Sequence, residues 1–219
     1  LTRQTMNKTK LRLSLLLLGS ITLGSCSKSG GNEFTAEGTI TDAAGKTLYL
    51  ETTDTDEPQL IDSVTLDEKG RFRFRREAHS YPAFYRLRLG ESFIPFAADS
   101  VTHLTLSASG KDLFSTYKIE SGDEANKQIR EIGQLRTATD KAIEAILTQL
   151  NNGTLDRGIA LARIDSLSTQ LKNTLTSKYI FSDPKGAAAY YALFQSYLGG
   201  TYFSIDHPGD DRAFSAVAT

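Results

Sequence analysis

The chain has 219 residues, 39% hydrophobic and 9% aromatic, which is apolar material for one or two modest cores and excludes wholesale disorder. Its 25 Lys+Arg nearly balance 26 Asp+Glu, a formal charge of -1, so no global basic field exists to hold nucleic acid, and none is expected as a partner. A single cysteine excludes an intramolecular disulfide, a CxxC redox pair and a Cys-rich zinc site, and three scattered histidines give a metal little to bind, so no cofactor is expected.

At the N-terminus, Arg3, Lys8, Lys10 and Arg12 form a basic stretch without acidic residues, followed by the apolar run LSLLLLGSITL and then Gly24, Ser25 and Cys26. The run is well short of the roughly 20 residues that a membrane-spanning helix needs, and residues 1–25 read as a signal peptide. Leu23-Gly24-Ser25-Cys26 resembles the lipobox of bacterial lipoproteins, in which the cysteine sulfur takes a diacylglyceryl group. The resemblance implies that Cys26 is the lipid attachment site and the first mature residue. With the four basic residues of the signal removed, 21 basic face 26 acidic side chains, a charge of -5. The only sulfur would then be alkylated, which removes thiol nucleophiles and redox cysteines from the mature chain. Residues 26–33 form a lipidated tether built on Ser27-Lys28-Ser29-Gly30-Gly31-Asn32. The expected location is the Gram-negative cell envelope, anchored to the membrane through the N-terminal lipid and facing the periplasm.

Residues 34–120 alternate with period two, and turn residues recur at intervals of about ten, an all-β pattern. The predicted strands are 34–40, 47–52, 60–66, 71–76, 83–89, 92–97, 101–107 and 116–120. Asp42-Ala43-Ala44-Gly45-Lys46 and Asp67-Glu68-Lys69-Gly70 read as hairpin turns with glycine at a positive φ. Alternation turns Leu48, Leu50, Phe72, Phe74, Leu87, Leu89, Leu104 and Leu106 inward, and Arg71, Arg73, Arg75, Arg86 and Arg88 outward. Eight such strands predict an antiparallel β-sandwich or a partly open barrel.

At Ser121-Gly122-Asp123-Glu124 the period lengthens to nearly four. Asp123 or Ser121 caps a helix to about residue 150, with Ile129, Ile132, Leu135, Ala142, Ile146 and Leu150 on its apolar stripe. After Asn151-Asn152-Gly153, a second helix over about 155–180 carries Ile159, Ile164, Leu167, Leu171 and Leu175, antiparallel to the first because the loop is short. Asp183-Pro184 reads as cap and first helical residue of a third helix to about residue 198, stopped by Gly199-Gly200. Residues 121–200 are therefore a helical hairpin plus a third helix. Residues 201–219 read as the truncated start of a further segment, with His207-Pro208-Gly209-Asp210-Asp211 as the start of another helix. The whole is α+β by segregated modules, a β-module followed by an antiparallel helical bundle.

The lipobox, the run DSVTLDEKGRF at 62–72, the PAFYRL strand at 82–87 and the helical hairpin together resemble the N-terminal region of envelope lipoproteins that carry a C-terminal thioredoxin-like domain. The first module of those proteins is a domain of unknown function. Their last belongs to the AhpC/TSA and thiol:disulfide oxidoreductase group. No Trp-Cys-x-x-Cys signature occurs here, since the sequence has no tryptophan and only Cys26, so none of the family's redox residues transfers to a position in this chain.

The local constellations read as structural. The arginines of RFRFRR and YRLRL form a solvated sheet face, or else a basic surface for an acidic peptide, glycan or lipid headgroup. His79, His103 and His207 are too scattered for the three convergent ligands of a catalytic metal. The pairs Asp62/Ser63, Asp99/Ser100 and Asp165/Ser166 suit turns and caps, and no GxSxG motif accompanies them. Tyr190, Tyr191, Phe194, Tyr197, Tyr202 and Phe203 make an aromatic cluster that is core or faces a partner. No catalytic residue is assigned. The expected function is non-enzymatic: the tethering and docking region of a thioredoxin-like oxidoreductase whose catalytic domain is missing, with that domain or another protein as partner. The alternative is a free-standing lipoprotein that binds a peptide or glycan.

Overall fold

The computed structural model describes residues 32–53, 57–121, 123–197 and 200–218. The predicted signal peptide, most of the tether, Cys26 and the stop at Gly199 lie outside the described residues.

Eight strands form two four-stranded sheets: β1 (Glu33–Thr41), β2 (Thr47–Thr52), β3 (Gln59–Thr65), β4 (Arg71–Glu77), β5 (Ala83–Leu89), β6 (Ser92–Ala98), β7 (His103–Ser109) and β8 (Lys118–Ile119). The first sheet has the order β4-β1-β7-β8 and the second β3-β2-β5-β6, and neither closes into a barrel. The inward residues read from alternation, Leu48, Leu50, Phe72, Phe74, Leu87, Leu89, Leu104 and Leu106, are all buried in one core between the sheets. Phe34 of β1 joins the sheets there, its ring 4.7 Å from Tyr85 and 6.1 Å from Phe96. Among the described residues all pairings are antiparallel except one, since β1 and β7 run parallel from Thr35↔His103 to Thr41↔Ser109. At Gly38 the two backbones are so close that a Cβ would sit 1.8 Å from the Leu106 carbonyl oxygen.

Two predicted strands shift. β7 starts at His103 because Asp99 folds the preceding residues into a turn, its Oδ1 accepting from the Val101 N–H (3.1 Å) and the Thr102 hydroxyl (2.8 Å). β8 shrinks to two residues because Asp112 caps a short helix α1 (Leu113–Thr116), accepting from the Ser115 N–H.

The helical region opens with α2 (Glu124–Asn151), capped by Asp123, and α3 (Arg157–Leu175), capped by Asp156. One π-helical turn, Thr176–Ile180, extends α3. Ile129, Ile132, Ile146, Leu171 and Leu175 are buried as the stripe predicts, while Ile159 is 50% exposed and Ile143 joins the core instead. The third helix differs most. Residues 183–186 form a turn closed by the Gly186 N–H donating to the Asp183 carbonyl, and α4 is only Ala187–Leu193. It stops before β9 (Ser196–Tyr197), which pairs with β10 (Gly200–Thr201), and α5 (Asp211–Ala218) follows. The helical core continues onto the outer face of the second sheet through Ala97 and Phe84.

Candidate functional site

The outward arginines come first, because period-two alternation places them all in view. On the first sheet each has its own carboxylate: Arg73 meets Glu37 (3.3 Å), Arg75 meets Glu33 (2.5 Å), Arg71 meets Asp67 (2.7 Å) and Arg76 meets Asp62. These pairs are largely exposed and leave a charge-balanced face, which argues against a basic surface there. The second sheet differs. Arg86 and Arg88 share one carboxylate, Glu51, at 2.6 and 2.7 Å, and Glu51 is only 5% exposed. Burial alone would raise its carboxyl, but the hydrogen bonds from Arg88 and Arg86 outweigh that and hold it below the ordinary carboxylate range. The two guanidiniums also stack, Arg86 over Phe93 (5.0 Å) and Arg88 over Tyr49 (4.4 Å).

The same outer face runs into a cleft of about 620 Å³ between the second sheet and α4 and α5. β5 supplies Phe84 on the polar side of its alternation, where an arginine or threonine would suit open solvent. Tyr190 of α4 lies on Phe84 at 5.5 Å and Tyr191 at 6.2 Å, and Phe194, just past the helix, meets Tyr190 at 4.6 Å and Phe214 of α5 at 6.3 Å. Tyr81 stands on the opposite lip, stacked on His79 at 4.8 Å. Three of these rings remain in solvent: Tyr81 at 61%, Phe194 at 54% and Tyr190 at 48%. Beneath them Phe84 and Tyr191 are half-buried over buried Ala83, Tyr85 and Ala187, and burial pushes the Tyr191 phenol upward. Gln195 is buried too, its amide donating to the Tyr191 carbonyl at 2.7 Å. Among the described residues Lys185 is the one charged residue in the lining.

A single residue fastens the helices beside this cleft. β6 is an edge strand, and Asn126 in the first turn of α2 takes the place of a neighbouring strand. Its carbonyl accepts from the Ala97 N–H and its amide donates to the Ala97 carbonyl, both at 2.8 Å, while Asp123 accepts a further amide hydrogen at 2.8 Å. On the next turn Arg130 donates to the Tyr117 carbonyl.

The aromatic cluster of the sequence therefore divides: Tyr202 and Phe203 are core, Tyr190 and Phe194 are surface, Tyr191 lies between, and the Tyr197 side chain lies outside what is described. Phe84, Tyr81, Lys185 and Asn126 were not singled out from the sequence. Phe84 broke the polar alternation of its strand, which was a usable signal; Asn126 carried none beyond its place in a first turn. His79 stacks on Tyr81, His103 is hydrogen-bonded through Nδ1 to Thr35 at 2.7 Å, and His207 stands 3.8 Å from Asp210, three separate places. Among the described residues no three His, Cys, Asp or Glu side chains converge on a metal position. Asp62 pairs with Arg76, Asp99 builds its turn, and Asp165 and Ser166 lie on the outer face of α3.

Fold and surface thus define an α+β protein in which a two-sheet module carries an exposed aromatic cleft against a helical region. Residues 34–128 match the family described as a domain of unknown function (DUF4369). That match covers the eight strands except Glu33, the first residue of β1, and ends two residues beyond Asn126, so it takes in the clamp to β6. No curated protein matches the chain.

Proposed function

We propose that this protein is a non-catalytic docking module of an envelope lipoprotein, held to the membrane by a lipid on Cys26, whose aromatic cleft seats a thioredoxin-like thiol:disulfide oxidoreductase domain. The observation that carries the reading is the set of half-exposed rings of Tyr81, Tyr190 and Phe194, an apolar surface that a monomer gains nothing by showing to water. Val217 of α5 lines the rim of the same cleft. The lipobox supports the address, and no helix among the described residues is long and apolar enough to cross a membrane. In this reading the redox chemistry belongs to the seated domain, since residues 1–219 hold one cysteine and no Trp-Cys-x-x-Cys.

The test places a photo-cross-linking amino acid at position 194 of the full chain in cells. The expected result is an adduct with a polypeptide containing Trp-Cys-x-x-Cys, absent when the cross-linker stands at Leu161, an exposed position on α3. No adduct from position 194, or adducts only with polypeptides lacking that signature, overturns the reading.

A further inference from the structure

We infer that the segment seated in the cleft is an extended, apolar stretch of polypeptide bearing carboxylates that meet Lys185 on the helical wall and the Arg86 and Arg88 row on the second sheet. This rests on the docking reading and adds the chemistry that recognises the partner. Three observations carry it.

The first is charge. Lys185 is the one charged residue in the cleft lining, it is exposed, and it makes no ion pair or hydrogen bond among the described residues. The strand register then leads from the cleft to further positive charge. Phe84 sits beside Ala97, the next outward pair is Arg86 beside Pro95, and the next is Arg88 beside Phe93. Pro95 itself lines the cleft. Across the sheet, Glu51 lies beside Arg86 and Tyr49 beside Arg88, so these rows hold two guanidiniums around one carboxylate. The first sheet, where four arginines meet four carboxylates, has no such surplus. A cationic strip on a chain that is acidic beyond Cys26 selects for an anionic partner.

The second is the character of the lining. Aromatic rings and three prolines, Pro82, Pro95 and Pro184, present flat apolar faces of the kind on which extended, proline-bearing segments dock. The third is the kind of polar group on offer. A pyranoside is held by carboxylates and amides that both accept from and donate to its hydroxyls, whereas among the described residues the lining has no carboxylate and the Gln195 amide already donates to the Tyr191 carbonyl. The lining suits a peptide better than a sugar.

The test uses the full chain extracted in detergent and fluorescence polarisation of two labelled synthetic peptides, proline- and leucine-rich, one ending in three glutamates and its twin in three lysines. Cellohexaose and chitohexaose serve as competitors. The acidic peptide should bind about tenfold tighter than the basic twin, Lys185→Glu should erase or reverse that preference, and Tyr190→Ala with Phe194→Ala should abolish binding of both. Both rings are half exposed, so the circular dichroism spectrum of the double variant should match that of wild type. Equal affinity for the twins, no binding of either, binding that survives the double substitution, or displacement by an oligosaccharide overturns the inference. If the cross-link from position 194 reaches a thioredoxin-like polypeptide while the peptides show no preference, the docking reading stands and only the recognition chemistry falls. The converse result separates them the other way.

Discussion

Replacing Asn126 by alanine should loosen the joint between the β-module and the helices more than any other single polar substitution at that joint. The side chain satisfies both the N–H and the carbonyl of Ala97 at 2.8 Å, at a site where Ala97 is 4% and Asn126 2% exposed. Removing it orphans two buried main-chain groups, each costing about 1–3 kcal/mol, for a loss of roughly 2–6 kcal/mol. With a urea m-value of about 2 kcal/mol/M, the unfolding midpoint should fall by roughly 1–3 M. Asn126→Asp is the sharper probe. It keeps an acceptor for the Ala97 N–H but sets a carboxylate against the Ala97 carbonyl and Asp123, so it should be no more stable than the alanine variant. Urea denaturation followed by circular dichroism measures both. A midpoint within about 0.3 M of wild type for either variant would refute the reasoning, because it would mean that water replaces the side chain at no cost.

Three further outcomes follow from the same description. Cys26→Ala should abolish palmitate labelling in a Gram-negative host and release the chain from membranes, whereas labelling that persists in the variant would place the anchor elsewhere. The Glu51 and Asp210 carboxyls both lie below the ordinary range, in each case because hydrogen bonds from Arg88 and Arg86, or from Lys172 and the Ser204 N–H, outweigh burial. A depressed folded-state value makes their stabilisation complete above the unfolded carboxylate range and lost as pH falls from about 4 through the folded-state values; the double variant Glu51→Gln, Asp210→Asn should lose roughly 1–3 kcal/mol per site at pH 7 and depend less on pH below about 4.5, and parallel pH curves for variant and wild type would contradict this. Gly38→Ala drives a Cβ to 1.8 Å from the Leu106 carbonyl and should cost more than about 4 kcal/mol, read as loss of soluble protein; a soluble variant with wild-type thermal unfolding would show that β1 and β7 can part freely.

How much of this was legible in the sequence varies with the range of the interaction. β2 and β5 match their expected bounds because TLYLET and the YRLRL part of AFYRLRL alternate regularly, and Gly45 and Gly70 take the positive φ expected of their turns, 75° and 73°. The parallel pairing of β1 with β7 was not legible: alternation fixes which face of a strand is buried and says nothing about a neighbour nearly 70 residues away. The third helix was overrun because AAAYYALFQSYL is a good helical pattern throughout, yet Gln195 turns its amide back to the Tyr191 carbonyl and its own carbonyl accepts from Tyr202, ending α4 early. The aromatic cluster was visible, but its division into core and surface depended on Phe84, which comes from a different module. The arginines were visible too, while their partners were not: Glu37, Glu33 and Glu51 reach them only through strand pairing.

The central claim, that the cleft between the second sheet and α4 is where the partner docks, is tested most directly by amide hydrogen exchange on the full chain, alone and with the thioredoxin-like polypeptide recovered from position 194. The account predicts new protection in residues 81–85 and 185–195, and unchanged exchange along β4, whose arginines are already paired on the other sheet. Protection gained along β4 with residues 185–195 unchanged would contradict it and would move the docking surface to the charge-balanced face.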